Sequence, residues 1–132
     1  MDRIDNFHGT CFTNFFIEPD GTCVECEFQA AKTDNLLQKK LIMISKPWEA
    51  KSLGNRVKIR SDWNDIRLKI MEDLVRKKFT DHPSLKEILL STGNAELIEG
   101  NYWYDDFWGV FKGKGENHLG RILMKIREEL KT

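Results

Sequence analysis

An α+β domain, predominantly helical, with a small N-terminal β-hairpin or sheet packed on a helical body, is the fold this sequence predicts. Three observations predict it. Glu18-Pro19-Asp20-Gly21 is a turn signal between two short apolar or β-branched pieces, Cys11 to Phe16 and Thr22 to Val24. Two later stretches repeat apolar residues every three or four positions, which lays a stripe along a helix. Between them, residues 100 to 116 hold four glycines and a run of aromatics with no helical period, so they read as a structured loop that packs its rings.

Taken in order, the first element is the hairpin around Glu18 to Gly21. From Glu25 the residues Phe28, Ala31, Leu36, Leu37, Leu41 and Ile44 make one apolar stripe, with Thr33-Asp34-Asn35 placed to divide the helix in two. Ser45 ahead of Pro47, and Gly54 after Leu53, suit a short capped helix over 46 to 53. Val57 and Ile59 alternate with charged residues, as a brief extended piece does. Asp62 is placed to cap a helix on which Trp63, Ile66, Ile70, Leu74 and Val75 share a face. Ser84 with Glu87 has the spacing of a capping box, and Gly93 ends that helix. A further short element falls over 94 to 99. The last helix spans 118 to 130, with Leu119, Ile122, Leu123, Ile126 and Leu130 on one side.

A chain of 132 residues has the size of one domain with one core, so residues 1 to 132 are read as a single domain. Lysine plus arginine equals aspartate plus glutamate at 21 each, and this removes any global basic field for a nucleic-acid backbone. No export signal or apolar run near membrane-spanning length is visible. The three cysteines, Cys11, Cys23 and Cys26, are an odd number that suits reduced thiols and a cytoplasmic protein. No membrane partner and no obligate protein partner are expected.

Chemistry could reside in three places. Trp108 to Asn117 runs into the last helix; Gly113 and Gly115 would let amides approach a phosphate, and Asn117 could cap a helix whose dipole favours an anion. An ordinary glycine-rich turn explains the same residues, and the spacing is neither a Walker loop nor a dinucleotide fingerprint. His8, Cys11, Cys23 and Cys26 imitate a zinc site, but cysteines are common core residues and no metal is expected. Glu25, Lys32, Glu99, Asp105 and Asp106 are candidate acids, bases or nucleophiles for cleaving a sugar bond, and counting alone does not choose among them. Trp63, Trp103 and Trp108 could be ligand platforms, although core packing is the commoner use.

These segments together resemble the NADAR (YbiA-like) family. The match runs through Phe12-Thr13-Asn14-Phe15, Glu25 to Lys32, Leu53 to Val57, Arg60 to Trp63, Lys78-Phe79, Leu89 to Gly93, Leu97 to Glu99, Asp105 to Gly109 and Gly113 to Gly120. The resemblance implies an enzyme without a cofactor that hydrolyses a ribose C1–N bond. One branch removes ADP-ribose from guanine in DNA or RNA, and another acts on ribosylamino-pyrimidine phosphates of the riboflavin pathway. A module that only binds ADP-ribose is the remaining alternative. Carried over by position, Lys32, Glu25 and Asp105 are the implied catalytic residues. The implied ligand contacts are Asn14, Phe15, Arg56, Trp63, Glu99, Trp108, Gly109, Gly113, Gly115, Asn117 and Gly120. Seven residues on one helix would turn Glu25 and Lys32 the same way. Cys26, Glu27 and Thr33 depart from the family's usual residues, which bears on substrate choice. The short chain and irregular N-terminus suit a viral or toxin-associated member, acting in the host cytoplasm if viral.

Overall fold

The computed structural model describes residues 2–131, which gather into two compact units: one from the N-terminus to Thr13 and from Val75 onward, the other Asn14–Leu74. Among the described residues six helices dominate, and the strands are four pieces of two residues each. No helix among the described residues is long and apolar enough to cross a membrane.

In the unit Asn14–Leu74, the predicted turn forms but the hairpin does not. The Thr22 carbonyl accepts from the Glu18 amide at 2.8 Å, and Asp20 holds both the amide and hydroxyl of Thr22. The chain then enters α1 (Val24–Ala30) at once, because Cys23 is its N-cap and its thiol accepts from the Cys26 amide. Too few residues are left for a second strand. Thr33 to Asn35 divides α1 from α2 (Leu36–Met43), as its composition predicts, with the Asn35 carboxamide capping Gln38.

The helix over 47 to 54 is α3 (Pro47–Gly54), and it starts one residue later than its composition suggests. Ser45 does not cap it; the hydroxyl turns back to the Ile42 carbonyl at 2.6 Å, and Glu49 instead accepts from the Lys46 amide. Cys23, Cys26, Ala30, Ile42 and Ala50, with Leu53 and Val57, form the core where α1, α2 and α3 meet. The stripe predicted on α2 is a correction: Ile42 is its buried residue, whereas Leu36, Leu37, Leu41 and Ile44 face outward. Helix α4 (Trp63–Asp81) follows, and Asp62 is engaged by Arg60 in a two-pronged pair at 2.7 and 3.1 Å.

The other unit holds β1 (Arg3–Ile4) parallel to β2 (Glu96–Leu97), and β3 (Gly100–Asn101) parallel to β4 (Val110–Phe111). The N-terminal strand therefore pairs with a late segment, and a hairpin is replaced by two short parallel ladders. Helix α5 (Pro83–Ser91) begins with Pro83 after His82, so Ser84 lies inside it and the predicted capping box is not used. Helix α6 (His118–Leu130) matches its predicted span and buries Leu119, Ile122, Leu123 and Ile126. It is fixed by Arg127, a buried guanidinium that donates to Thr92 Oγ1 and the Ala95 carbonyl at 2.9 and 2.8 Å. Buried Phe12 packs edge-on to Phe7 and tilted against Phe79, and buried Lys78 donates to the Thr13 carbonyl at 3.1 Å.

Candidate active site

The expected site residues fall into two groups, one in each unit. Glu25, Lys32, Asn14, Phe15, Arg56 and Trp63 belong to the first group. Glu25 is the second residue of α1, where the helix dipole favours a carboxylate, and it is buried. Its amide donates to the Asn14 carbonyl at 3.0 Å, and its Oε1 accepts from Gln29 Nε2 at 2.8 Å. Asn14 and Gln29 thus hold Glu25 from backbone and side chain. Each also keeps a buried acceptor, Asn14 Oδ1 and Gln29 Oε1, with no partner among the described residues.

Lys32 lies outside the helix that carries Glu25. Helix α1 ends at Ala30, and Lys32 occupies the following turn, its amide donating to the Gln29 carbonyl and its own carbonyl accepting from the Arg60 amide at 2.8 Å. The shared helical face is therefore corrected to a helix and the turn that leaves it. The two side chains are still electrostatically coupled. Burial pulls the Lys32 amine below the ordinary lysine value of 10.5, the Glu25 carboxylate works against this, and the Lys51 ammonium on α3 adds to it.

The close approach that holds this geometry is at Gly54. A methyl group there would fall inside the Gln29 carboxamide, with Cδ at 2.7 Å and Cβ at 3.0 Å. Gln29 is only 5% exposed, so it has no room to retreat. Sequence reasoning missed Gln29 and Gly54, although a glutamine four residues after a glutamate on an otherwise apolar helix face was the available signal. Trp63 is buried against Phe28, ring centroids 5.0 Å apart, and serves the core here. Phe15 and Arg56 are exposed.

The second group is Glu99, Asp105, Trp108, Gly109, Gly113, Gly115, Asn117 and Gly120. Asp105 acts as a turn cap: its Oδ1 accepts from the amides of Phe107 and Trp108 at 3.1 and 2.9 Å. Asn101, which carried no signal in the sequence, pins the same loop by bonding Asp105 through both its Oδ1 and Nδ2. The loop does not pack all its rings, since Tyr102, Trp103 and Tyr104 are exposed.

The expected anion cradle is largely taken up by the protein itself. The amides of Glu116, Asn117, His118 and Leu119 donate to the carbonyls of Asp106, Gly109, Phe107 and Trp108. Asn117 stands at the N-cap of α6 but does not cap it; its side chain accepts from the Glu99 amide and donates to the Leu97 carbonyl, both at 2.9 Å. Gly109, Gly115 and Gly120 lie against the carbonyls of Glu99, Gly109 and Leu97, where a side chain would not fit. What stays open is the turn tip. Lys112 and Gly113 have φ of 51° and 76° between the paired Phe111 and Lys114, the two positive values of a type I′ turn.

The cysteines form no ligand set of their own. Cys23 and Cys26 are buried with Sγ atoms 3.0 Å apart, and Cys26 Sγ also donates to the Ser45 carbonyl. Burial, with the neighbouring Cys23 thiol, pushes Cys26 up to about 12.

The NADAR domain family model matches residues 9–131. An N-glycosidase from Nostoc punctiforme is 37% identical over 92% of this chain and 86% of its own length. A riboflavin biosynthesis protein from Vibrio vulnificus is 40% identical over 96% of this chain, which corresponds to 36% of that longer protein. The NMR structure of the Escherichia coli protein YbiA superposes with a TM-score of 0.83 at 33% identity, over 98% of this chain and 86% of that one. The chain belongs to the NADAR domain family.

Proposed function

We propose that this chain is an N-glycosidase that hydrolyses a ribose C1–N bond, with Lys32 as the nucleophile and Glu25 as the proton carrier. The observation that carries the reading is the pair itself: a half-buried amine, lowered by burial and by Lys51, coupled to a buried carboxylate that Asn14 and Gln29 hold in place. A relative named for N-glycosidase activity, matched over most of both chains, supports the reaction class.

In the proposed sequence the neutral Lys32 amine bonds to C1 of the ring-opened ribosyl group. The Glu25 carboxylate relays to the departing nitrogen the protons that the attacking amine releases, as the C1–N bond to the base breaks. Water then adds to the resulting imine, Glu25 accepts a proton from it, and the lysine leaves as an amine while C1 is released as the sugar aldehyde, which recloses. The Asp105 carboxylate is committed to its turn, so Glu25 is the favoured acid.

For the leaving group we favour a guanine base of nucleic acid carrying ADP-ribose. The name of the Vibrio relative favours a second reading, in which the substrate is a ribosylamino-pyrimidine phosphate. The two separate in one experiment. The protein is incubated with an ADP-ribosylated guanine oligonucleotide, with a ribosylamino-pyrimidine phosphate and with NAD, and products are followed by mass. Release of ADP-ribose from the oligonucleotide is expected; turnover of the pyrimidine alone would replace the first reading with the second. Binding of ADP-ribose without any cleavage would reduce the protein to a reader of the modification.

A further inference from the structure

The outer surface of α2 and the start of α3 carries a feature that neither the core nor the proposed chemistry uses. Leu36, Leu37, Leu41, Met43, Ile44 and Trp48 are all exposed within 13 residues of chain, with Leu36, Ile44 and Trp48 at 74%, 81% and 60%. Scattered surface leucines are normal, but six large apolar side chains on one short segment are a concentration that water disfavours. The segment is also basic in a chain of zero net charge: residues 36–51 hold Lys39, Lys40, Lys46 and Lys51 against Glu49, a net charge of +3.

We infer that this face is a docking surface for an anionic lipid bilayer, holding the enzyme peripherally at a membrane. The charge selects among occupants. A second copy packed symmetrically on the same face would set +3 against +3, so self-association is opposed. A protein partner is disfavoured by the basic residues, since protein interfaces are depleted in lysine and enriched in arginine, and residues 36–51 hold four lysines and no arginine. Aliphatic residues, lysines and a tryptophan at the edge are the composition of an interfacial lipid anchor, where the apolar groups enter the acyl boundary and the ammoniums stay among the headgroups. The Lys46 ammonium lies 5.3 Å from the Trp48 ring centroid, so charge and ring are presented together. Lys39 is turned inward to the Ala30 carbonyl at 3.0 Å, which leaves Lys40, Lys46 and Lys51 as the headgroup contacts. This departs from the expectation of no membrane partner drawn from the absence of long apolar runs, because the surface needs no spanning segment.

The test is sedimentation of the whole protein with vesicles of phosphatidylcholine, with and without phosphatidylglycerol. The expected result is partition onto the phosphatidylglycerol vesicles alone, falling as salt rises and by about fivefold for each of Lys40→Gln and Lys46→Gln. The double variant Leu37→Glu with Ile44→Glu should lose binding by at least about tenfold while keeping its melting temperature, since both positions are already exposed. No partition onto phosphatidylglycerol vesicles, or equal partition by the glutamate variant, overturns the proposal. Sedimentation velocity decides the remaining case: an apolar-dependent dimer in place of vesicle binding overturns it in favour of a second copy.

Discussion

Replacing Gly54 with alanine tests the packing that holds Glu25. The new methyl would occupy space now filled by the Gln29 carboxamide, and buried Gln29 has no exposed volume to enter. Overpacking of this kind costs about 1–3 kcal/mol, and displacing Gln29 also strains its bond to the Glu25 carboxylate, a charge-assisted contact worth about 1.5–3 kcal/mol. Taking ~2.5–6 kcal/mol together, and ~2.1 cal/mol/K of unfolding entropy per residue over the chain, the melting temperature should fall by about 9–22 °C. Turnover should fall by about tenfold, as Glu25 loses its orientation. Gln29→Ala alone should also destabilise, by removing the bond and leaving a void. In the double variant the methyl added at position 54 enters the space that Gln29 vacates, so the two losses should not add; a coupling of about 1–3 kcal/mol is expected. The assay is thermal and chemical denaturation of all four proteins, with turnover alongside. Additivity within about 0.5 kcal/mol would refute the close approach of α1 and α3 at this point.

Other outcomes follow from the same geometry. Lys51→Glu should raise the Lys32 pKa by exchanging a cation for an anion, so the limb of the rate profile that rises with pH as the amine loses its proton should move to higher pH. An unmoved limb would detach Lys51 from the chemistry. Because the folded Lys32 pKa lies below 10.5, the unfolded chain binds more protons between the two values. Wild-type stability should therefore gain a contribution as pH rises through that window, and Lys32→Met should lack it in denaturation at several pH values. Cys26, pushed up to about 12 and buried, should react with iodoacetamide far more slowly in the folded protein than in denaturant, read by mass. Lys112→Asn puts an αL-tolerant residue at φ 51° in the I′ turn and should raise the melting temperature by about 1–3 °C.

The parts of the fold legible in the sequence are those with unshared periodicity. Helix α6 is readable to the residue because its apolar positions are nearly all core and its other positions are mostly polar. Helix α2 misleads for the opposite reason: apolar residues surround it, and only Ile42 reaches the core, so the stripe chosen from spacing is the exposed one. Strands of two residues carry no period at all, and the pairing of β3 with β4 depends on contacts of Asn101 across the loop, which spacing does not reveal. Glu25 and Lys32 come from the family resemblance. The Gln29 bond to Glu25 is local to α1, whereas Gly54 comes against Gln29 only when α1 and α3 pack together. The glycine-rich segment is a structured loop as its composition predicts, but most of its amides and glycines serve its own folding.

The central claim is that Lys32 bonds to C1 during cleavage of the N-glycosidic bond. Sodium borohydride added during turnover of an ADP-ribosylated guanine oligonucleotide or of a ribosylamino-pyrimidine phosphate should reduce the imine and fix the sugar to the protein. Peptide mass analysis should then find the adduct on Lys32, and Lys32→Ala should give neither adduct nor product. Full turnover by Lys32→Ala, or active wild-type enzyme that yields no adduct, would contradict the account.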